Sequence, residues 1–256
     1  MKPKVAAAVL CGGRGERLRP LTDFFQKTMI PIGERRRPLL EYIVRLLVHH
    51  GIRDITMLGS YRMKEIRDYF KEGSAFGARI AYSKDKKGER GSLSALAGAL
   101  SRASIPKCDV LIVYYGDILS DLDITRLVLV HSNEKADATL VLSRGYTLPI
   151  GVATVRGGRR VVAMEEKPTL DLSITTGCMA LGPRAMRSAL EIAGKGRGDL
   201  MSDFVPELLK RKVKVAAYYT TGLWYDVGAL TSYEKLNSEL KDDSLSYIRD
   251  QPAAHP

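Results

Sequence analysis

Cysteine is scarce in this 256-residue chain: Cys11, Cys108 and Cys178 are odd in number and widely separated. That argues against a disulfide framework or a zinc knuckle and fits buried thiols in a reducing compartment. Long apolar runs are missing as well. None approaches the roughly 18–20 residues of a membrane span, and the run Val5–Leu10 after Met1-Lys2-Pro3-Lys4 is too short for a signal peptide. The expectation is a cytoplasmic protein with no membrane association. Histidine is sparse too, and His49, His50, His131 and His255 show no ligand-like clustering.

Apolar residues are plentiful: 45% of the chain is hydrophobic, enough for a full core without a metal or disulfide. The formal charge of +11 favours anionic partners. The basic clusters, Glu34-Arg35-Arg36-Arg37 and Lys84-Asp85-Lys86-Lys87, have no aromatic residues interleaved, so they read first as solvated loops, with attraction of phosphate-bearing substrates as the second reading and nucleic acid disfavoured.

Short apolar strands at 5–10, 55–58, 79–82 and 110–115 alternate with helical patterns at 39–49, 63–70 and 93–103. Strands spaced this way imply βαβ crossovers on a parallel sheet. After a helix at 124–131 the rhythm changes to strands at 139–142, 151–155, 160–164 and 175–181, with Gly157-Gly158 as a hairpin turn. Helices return at 184–192, 204–210 and 230–240, with a strand at 213–219. The expected fold is three-layer α/β, with a Rossmann-like mixed, mainly parallel sheet and a small antiparallel substrate lobe. Residues 1–240 would form one domain, about 137–182 contributing the lobe, and 241–256 a polar tail.

The segment Cys11-Gly12-Gly13-Arg14-Gly15-Glu16-Arg17 follows a strand, the context of a phosphate-binding loop. Its glycines permit a tight path with amides exposed to phosphate oxygens. No Gly-Lys-Ser/Thr follows, and the dinucleotide fingerprint is absent, so an ATPase or dehydrogenase is disfavoured. Asp117 ends the strand at 110–115, where open α/β sheets place their sites.

The continuation is more specific. Residues 12–22, then Gln26-Lys27-Thr28-Met29-Ile30-Pro31-Ile32-Gly33, then Arg37-Pro38-Leu39-Leu40-Glu41-Tyr42, resemble the opening of the sugar-1-phosphate nucleotidylyltransferases, the pyrophosphorylases that make nucleoside-diphosphate sugars. The resemblance implies that 1–240 is a nucleotidyltransferase domain. It implies a nucleotide site at Leu10, Gly12, Gly13, Gly15, Arg17, Gly91 and Ser92, with Lys27 and Arg17 as catalytic cations. Gly116-Asp117 and Trp224-Tyr225-Asp226-Val227-Gly228 resemble the segments that supply two Mg²⁺-binding carboxylates, Asp117 and Asp226, with Trp224 read as packing. Glu165-Glu166-Lys167-Pro168 and Pro149-Ile150-Gly151-Val152 resemble the sugar-phosphate side, which would use Gly151, Glu166, Lys167 and Gly177. The family has threonine where Glu16 stands, proline where Gln26 stands, and asparagine near Thr176.

The implied reaction transfers a nucleotidyl group from a nucleoside triphosphate to a sugar 1-phosphate, with Mg²⁺ as cofactor. Rival readings are a cytidylyltransferase acting on a non-sugar phosphate ester, and a catalytically weak regulatory or structural nucleotide-binding subunit. Residues 84–90 read as a cover over the site rather than a recognition element. A homo-oligomer is compatible with the sequence, and the left-handed β-helix of some relatives, with its acetyl transfer, is not expected.

Overall fold

A computed structural model describes residues 2–86, 90–148, 150–194, 198–241 and 244–249. In chain order the strands are β1 (Val5–Leu10), β2 (Pro31–Ile32), β3 (Arg37–Pro38), β4 (Asp54–Leu58), β5 (Arg79–Ser83), β6 (Val110–Tyr115) and β7 (Ile118–Ser120). They continue as β8 (Ala138–Thr147), β9 (Val152–Arg156), β10 (Arg160–Glu165), β11 (Thr169–Leu181), β12 (Val215–Tyr219) and β13 (Trp224–Asp226). The helices are α1 (Leu21–Phe24), α2 (Leu39–His49), α3 (Met63–Phe70), α4 (Ser92–Ser101) and α5 (Ile124–Asn133). After them come α6 (Pro183–Ala193), α7 (Val205–Lys210), α8 (Leu230–Glu239) and α9 (Ser246–Arg249).

Seven strands form one sheet in the order β12-β8-β11-β6-β1-β4-β5. β6, β1, β4 and β5 are mutually parallel, as are β12 and β8, and β11 runs antiparallel between β6 and β8. The period of two in β1 explains the three layers. Ala7 and Val9 enter the core packed by α2, α3 and α9, while Ala6, Ala8 and Leu10 enter the core packed by α4, α6 and α7. The small alanines let helices approach both faces closely.

The antiparallel part is continuous with this sheet. β8 and β11 are ten and thirteen residues long, because the strands expected at 139–142 and 175–181 each extend outward as a ribbon. The ribbon carries the β9–β10 hairpin, turned at Gly157 and Gly158, both with positive φ. Pro149, part of the motif at 149–152, lies outside the described residues.

One boundary is corrected. The expected polar tail from 241 begins instead with a buried segment: Leu245, Tyr247 and Ile248 sit in the core beside α2, and the Tyr247 hydroxyl donates to Ser120 O at 2.8 Å. Three apolar residues among acids and serines fall below what periodicity can detect. Residues 250–256 of that tail lie outside the described residues. No helix among the described residues is long and apolar enough to cross a membrane.

Candidate active site

The glycine loop leaves β1 at the carboxyl edge of the sheet. Cys11 N–H still donates to Leu58 O at 2.7 Å, and its thiol is buried, which pushes it well above the ordinary range and keeps it inert. Gly15 has φ 65°, and a Cβ there would stand 2.7 Å from Thr22 Cγ2 and 3.2 Å from Lys27 Cβ. The missing side chain is therefore what lets the lysine segment close against the loop.

Gln26 fastens that contact. Its side chain is fully buried, accepting from Thr28 N at 2.6 Å and from Thr28 Oγ1 at 2.7 Å, while its amide donates to Cys11 O at 2.5 Å. Its backbone N–H donates to Glu65 Oε2 at 2.8 Å, a bond that proline could not make. The glutamine thus ties the glycine loop to the 3-10 turn Lys27–Met29 that begins with the lysine.

Lys27 Nζ is ion-paired with Asp117 Oδ2. Asp117 arrives there because β6 pairs with β1, and Gly116 N–H donates to Leu10 O at 2.9 Å. Asp226 arrives through the short ladder of β13 with β7, which sets it opposite Ile118, and Val227 N–H donates to Asp117 O at 2.9 Å. Burial, and next the facing Asp117, raise the Asp226 carboxyl above its ordinary range; Lys27 and Arg17 act in the opposite direction. A Cβ on Gly228 would lie 2.7 Å from Asp226 Oδ1 and 3.2 Å from Arg17 Nη2, so the guanidinium and this carboxylate share one corner. Two carboxylates and two cations that are far apart in sequence meet at this edge.

Two clefts flank Lys27. The inner one, about 270 Å³, is lined by Leu10, Gly12, Gly13, Lys27, Gly91, Ser92 and Asp117, joined by Thr28, Leu58, Gly59, Asp85, Ala95 and Tyr115. The outer one is lined by Arg14, Gly15, Glu16, Arg17, Lys27 and Gly228. Glu16 is therefore outnumbered there by three cations, which offsets the anion that stands in place of threonine. Ser92 belongs to the inner lining, but its hydroxyl is committed to the protein: it donates to Asp199 Oδ2 at 3.0 Å and accepts from Leu200 N at 2.9 Å and Tyr115 OH at 3.2 Å.

On the opposite side of Asp117, Gly177 has φ 72°, and a Cβ there would stand 3.0 Å from Ile118 Cγ1 and 3.3 Å from Tyr115 Cβ. It occupies the irregularity in β11 between Thr175 and Met179. Thr176 points away from the cleft, donating to Val141 O at 3.1 Å, and Trp224 Nε1 donates to Thr176 O at 2.9 Å, so the tryptophan is packing as expected. Gly151 and Glu166 are neighbours, a Cβ on Gly151 meeting Glu166 Oε2 at 2.9 Å, and Lys167 has φ 50°. These three are on the exposed ribbon, and none of them lines either cleft around Lys27.

Sequence reasoning missed Asp85, Gly59 and Tyr115. The rule that drew attention to Asp117, a polar or small residue just past the carboxyl end of a parallel strand, applies equally to Gly59 after β4 and Asp85 after β5. Asp85 also departs from the reading of 84–90 as a cover alone, since it lines the cleft itself; Lys87–Glu89 lie outside the described residues. Among the described residues no group of three or more His, Cys, Asp or Glu side chains is gathered as a metal-ligand cluster, and Asp117 and Asp226 are a pair of carboxylates close enough for the charge of one to raise the other.

The Nucleotidyl transferase family model matches residues 6–243. The chain is 30% identical to a UTP–glucose-1-phosphate uridylyltransferase of Synechocystis sp., over 97% of this chain and 68% of the relative. It is also 30% identical to a mannose-1-phosphate guanylyltransferase of Mycobacterium tuberculosis, over 93% of this chain and 65% of the relative. Among solved structures, one assigned as a glucose-1-phosphate thymidylyltransferase from Bacillus anthracis superposes with TM-score 0.73 at 25% identity, covering 97% of this chain and 96% of that one. The span matched by the family model takes in the glycine loop, Lys27, Asp117 and Asp226, and it covers most of the chain: the chain belongs to the nucleotidyl transferase family.

Proposed function

We propose that the protein transfers a nucleotidyl group from a nucleoside triphosphate to a sugar 1-phosphate, giving a nucleoside-diphosphate sugar and pyrophosphate. The observation that carries the reading is the meeting of Lys27 with Asp117 at the junction of the two clefts. The names of the relatives support a sugar phosphate over other phosphate esters. The intact cation set supports catalysis over a purely structural role.

An oxygen of the sugar phosphate attacks the α-phosphorus, and the bond to the β-phosphate bridging oxygen breaks. No general base is required, since a phosphate monoester is already largely ionised near neutral pH. Lys27, shared by both clefts, lies where charge develops between the reacting phosphate and the leaving pyrophosphate, and Arg17 neutralises the outer phosphates. Gly12 and Gly13 supply amides beside them. The facing carboxylates of Asp117 and Asp226 fit Mg²⁺: they are hard oxygen donors, and burial first, with the neighbouring Asp117 next, raises the Asp226 carboxyl in a way that a bound cation would oppose. Bound there, Mg²⁺ would supply charge neutralisation and phosphate orientation. On the acceptor side, Gly177 borders the Asp117 loop, and Gly151, Glu166 and Lys167 would present the sugar phosphate from the ribbon.

The test is pyrophosphate release from each nucleoside triphosphate with a panel of sugar 1-phosphates and with non-sugar phosphate esters, with and without Mg²⁺. Product with a sugar 1-phosphate is expected. Product only with a non-sugar ester, or nucleotide binding with no product from any acceptor, would overturn the reading in favour of one of its rivals. Lys27→Ala is expected to lower kcat roughly 100- to 1,000-fold, and near-parent turnover would remove the lysine from the mechanism.

A further inference from the structure

The Ser92 hydroxyl has one proton and two lone pairs to place, and each has a partner. It donates to Asp199 Oδ2 at 3.0 Å and accepts from Leu200 N at 2.9 Å and from the Tyr115 hydroxyl at 3.2 Å. The ends of this chain fix its direction, because a backbone N–H only donates and a carboxylate only accepts. Burial works against the charge of Asp199, but the amides of Ser202 and Met201 and the Ser92 hydroxyl leave its carboxyl below the ordinary range, so it is ionised near neutral pH. The Ser92 proton is therefore committed to Asp199, and the Tyr115 proton to Ser92.

Asp199 lines neither cleft around Lys27 and is held firmly behind the inner one. Its Oδ1 accepts from Met201 N at 2.8 Å and Ser202 N at 3.0 Å, its own N–H donates to Asp203 Oδ2 at 2.9 Å, and Leu200 and Phe204 beside it are fully buried. The preceding Gly198 O accepts from Leu93 N at 2.8 Å, so the same segment grips the first turn of α4. Tyr115, at the end of β6, does line the inner cleft, and among the described residues its hydroxyl makes no second hydrogen bond. With its proton turned toward Ser92, its oxygen offers the cleft a lone pair and no donor.

We propose that Asp199 is a positioning residue for the nucleotide: acting through Ser92, it fixes the Tyr115 hydroxyl as an acceptor for an N–H or O–H donor of the nucleoside. Tyr115 stands two residues before Asp117, where the phosphates gather. The parts of a nucleotide that follow its phosphates, the ribose hydroxyls and then the base, carry such donors. The assignment rests on the inner cleft holding the triphosphate of the transfer reaction proposed above. Asp199→Asn would reverse the chain. The Met201 and Ser202 amides keep the oxygen of the new side chain, so its NH2 faces Ser92 as a donor. Ser92 then gives its proton to Tyr115, and Tyr115 turns its own into the cleft, donor against donor.

Equilibrium binding and initial rates with ATP, GTP, UTP, CTP and dTTP are measured for the parent, Asp199→Asn, Ser92→Ala, Tyr115→Phe and the two double variants that carry Tyr115→Phe, each shown to be folded by its melting curve. For the triphosphate that the parent binds most tightly, Asp199→Asn is expected to raise Kd and KM about 10-fold, with kcat moving less. In the Tyr115→Phe background neither Asp199→Asn nor Ser92→Ala should weaken binding further, because the hydroxyl they orient is gone. If Asp199→Asn does not fold, Ser92→Ala carries the same comparison. A loss as large with Tyr115→Phe as without it overturns the inference and makes Asp199 a structural support of α4; a parent-like Kd in Asp199→Asn overturns it as well. The 2′,3′-dideoxy triphosphate then locates the donor: the Tyr115→Phe loss vanishes for one on the ribose and persists for one on the base. Non-additive losses in binding without product from any acceptor would overturn the transfer reading and keep this one. Product formed by Asp199→Asn at the parent's KM does the reverse.

Discussion

At the scale of the residue, Gln26 shows how a departure from a family pattern is absorbed. A proline in its place would stiffen the chain before the lysine; the glutamine achieves the same end by bonding both to Cys11 O and to the Thr28 N–H and hydroxyl. Gln26→Ala leaves those buried groups without a partner, at an expected cost of about 1–3 kcal/mol in urea unfolding. Because the lysine turn loosens with it, kcat should fall while KM for the triphosphate moves less. A variant that lost stability with kcat intact would show Gln26 to be packing and no more. Lys27 was legible in the sequence because its motif is contiguous; the bonds of Gln26 were not, because they join residues fifteen positions apart that only the fold brings together.

At the scale of the element, α9 is the segment that sequence patterning failed to identify. It is four residues long, and its anchors Leu245, Tyr247 and Ile248 are covered by α2 and the β7 region. A short helix has too few turns to show a period, so its place depends on the groove that receives it. Tyr247→Ala is expected to destabilise the protein by about 3–5 kcal/mol, read from the urea midpoint; an unchanged midpoint would mean the segment is dispensable. The helices α2, α3 and α5 were legible because their apolar positions recur on one face for two turns or more. The lengths of β8 and β11 were not, since their outer halves are exposed and lose the apolar signature of the buried halves.

At the scale of the whole molecule, acid sensitivity follows from buried imidazoles. His131 is buried against Thr139, with Nδ1 2.9 Å from its hydroxyl, and burial lowers its pKa from the usual 6.5 despite the opposing charge of Asp137. His50 shifts in the same direction, again chiefly by burial. Below pH 6.5 the unfolded chain therefore binds protons that the folded chain resists, so the contribution is present above that value and is lost as pH falls toward the depressed folded values. Urea midpoints measured between about pH 7 and 5 should fall on acidification, and His131→Asn should flatten that slope. An identical slope in the variant would assign the effect to other groups. The sequence by itself determined the three-layer α/β class, the order of most elements and the glycine–lysine segment, because periodicity and contiguous motifs are local properties. Only the tertiary structure decided that the glycine loop from Cys11 to Arg17 faces Asp117, Asp226 and Asp85, and that the Ser92 hydroxyl turns inward. Those relations depend on which strands lie side by side at one edge of the sheet, and strand order is set by packing between residues far apart in the chain.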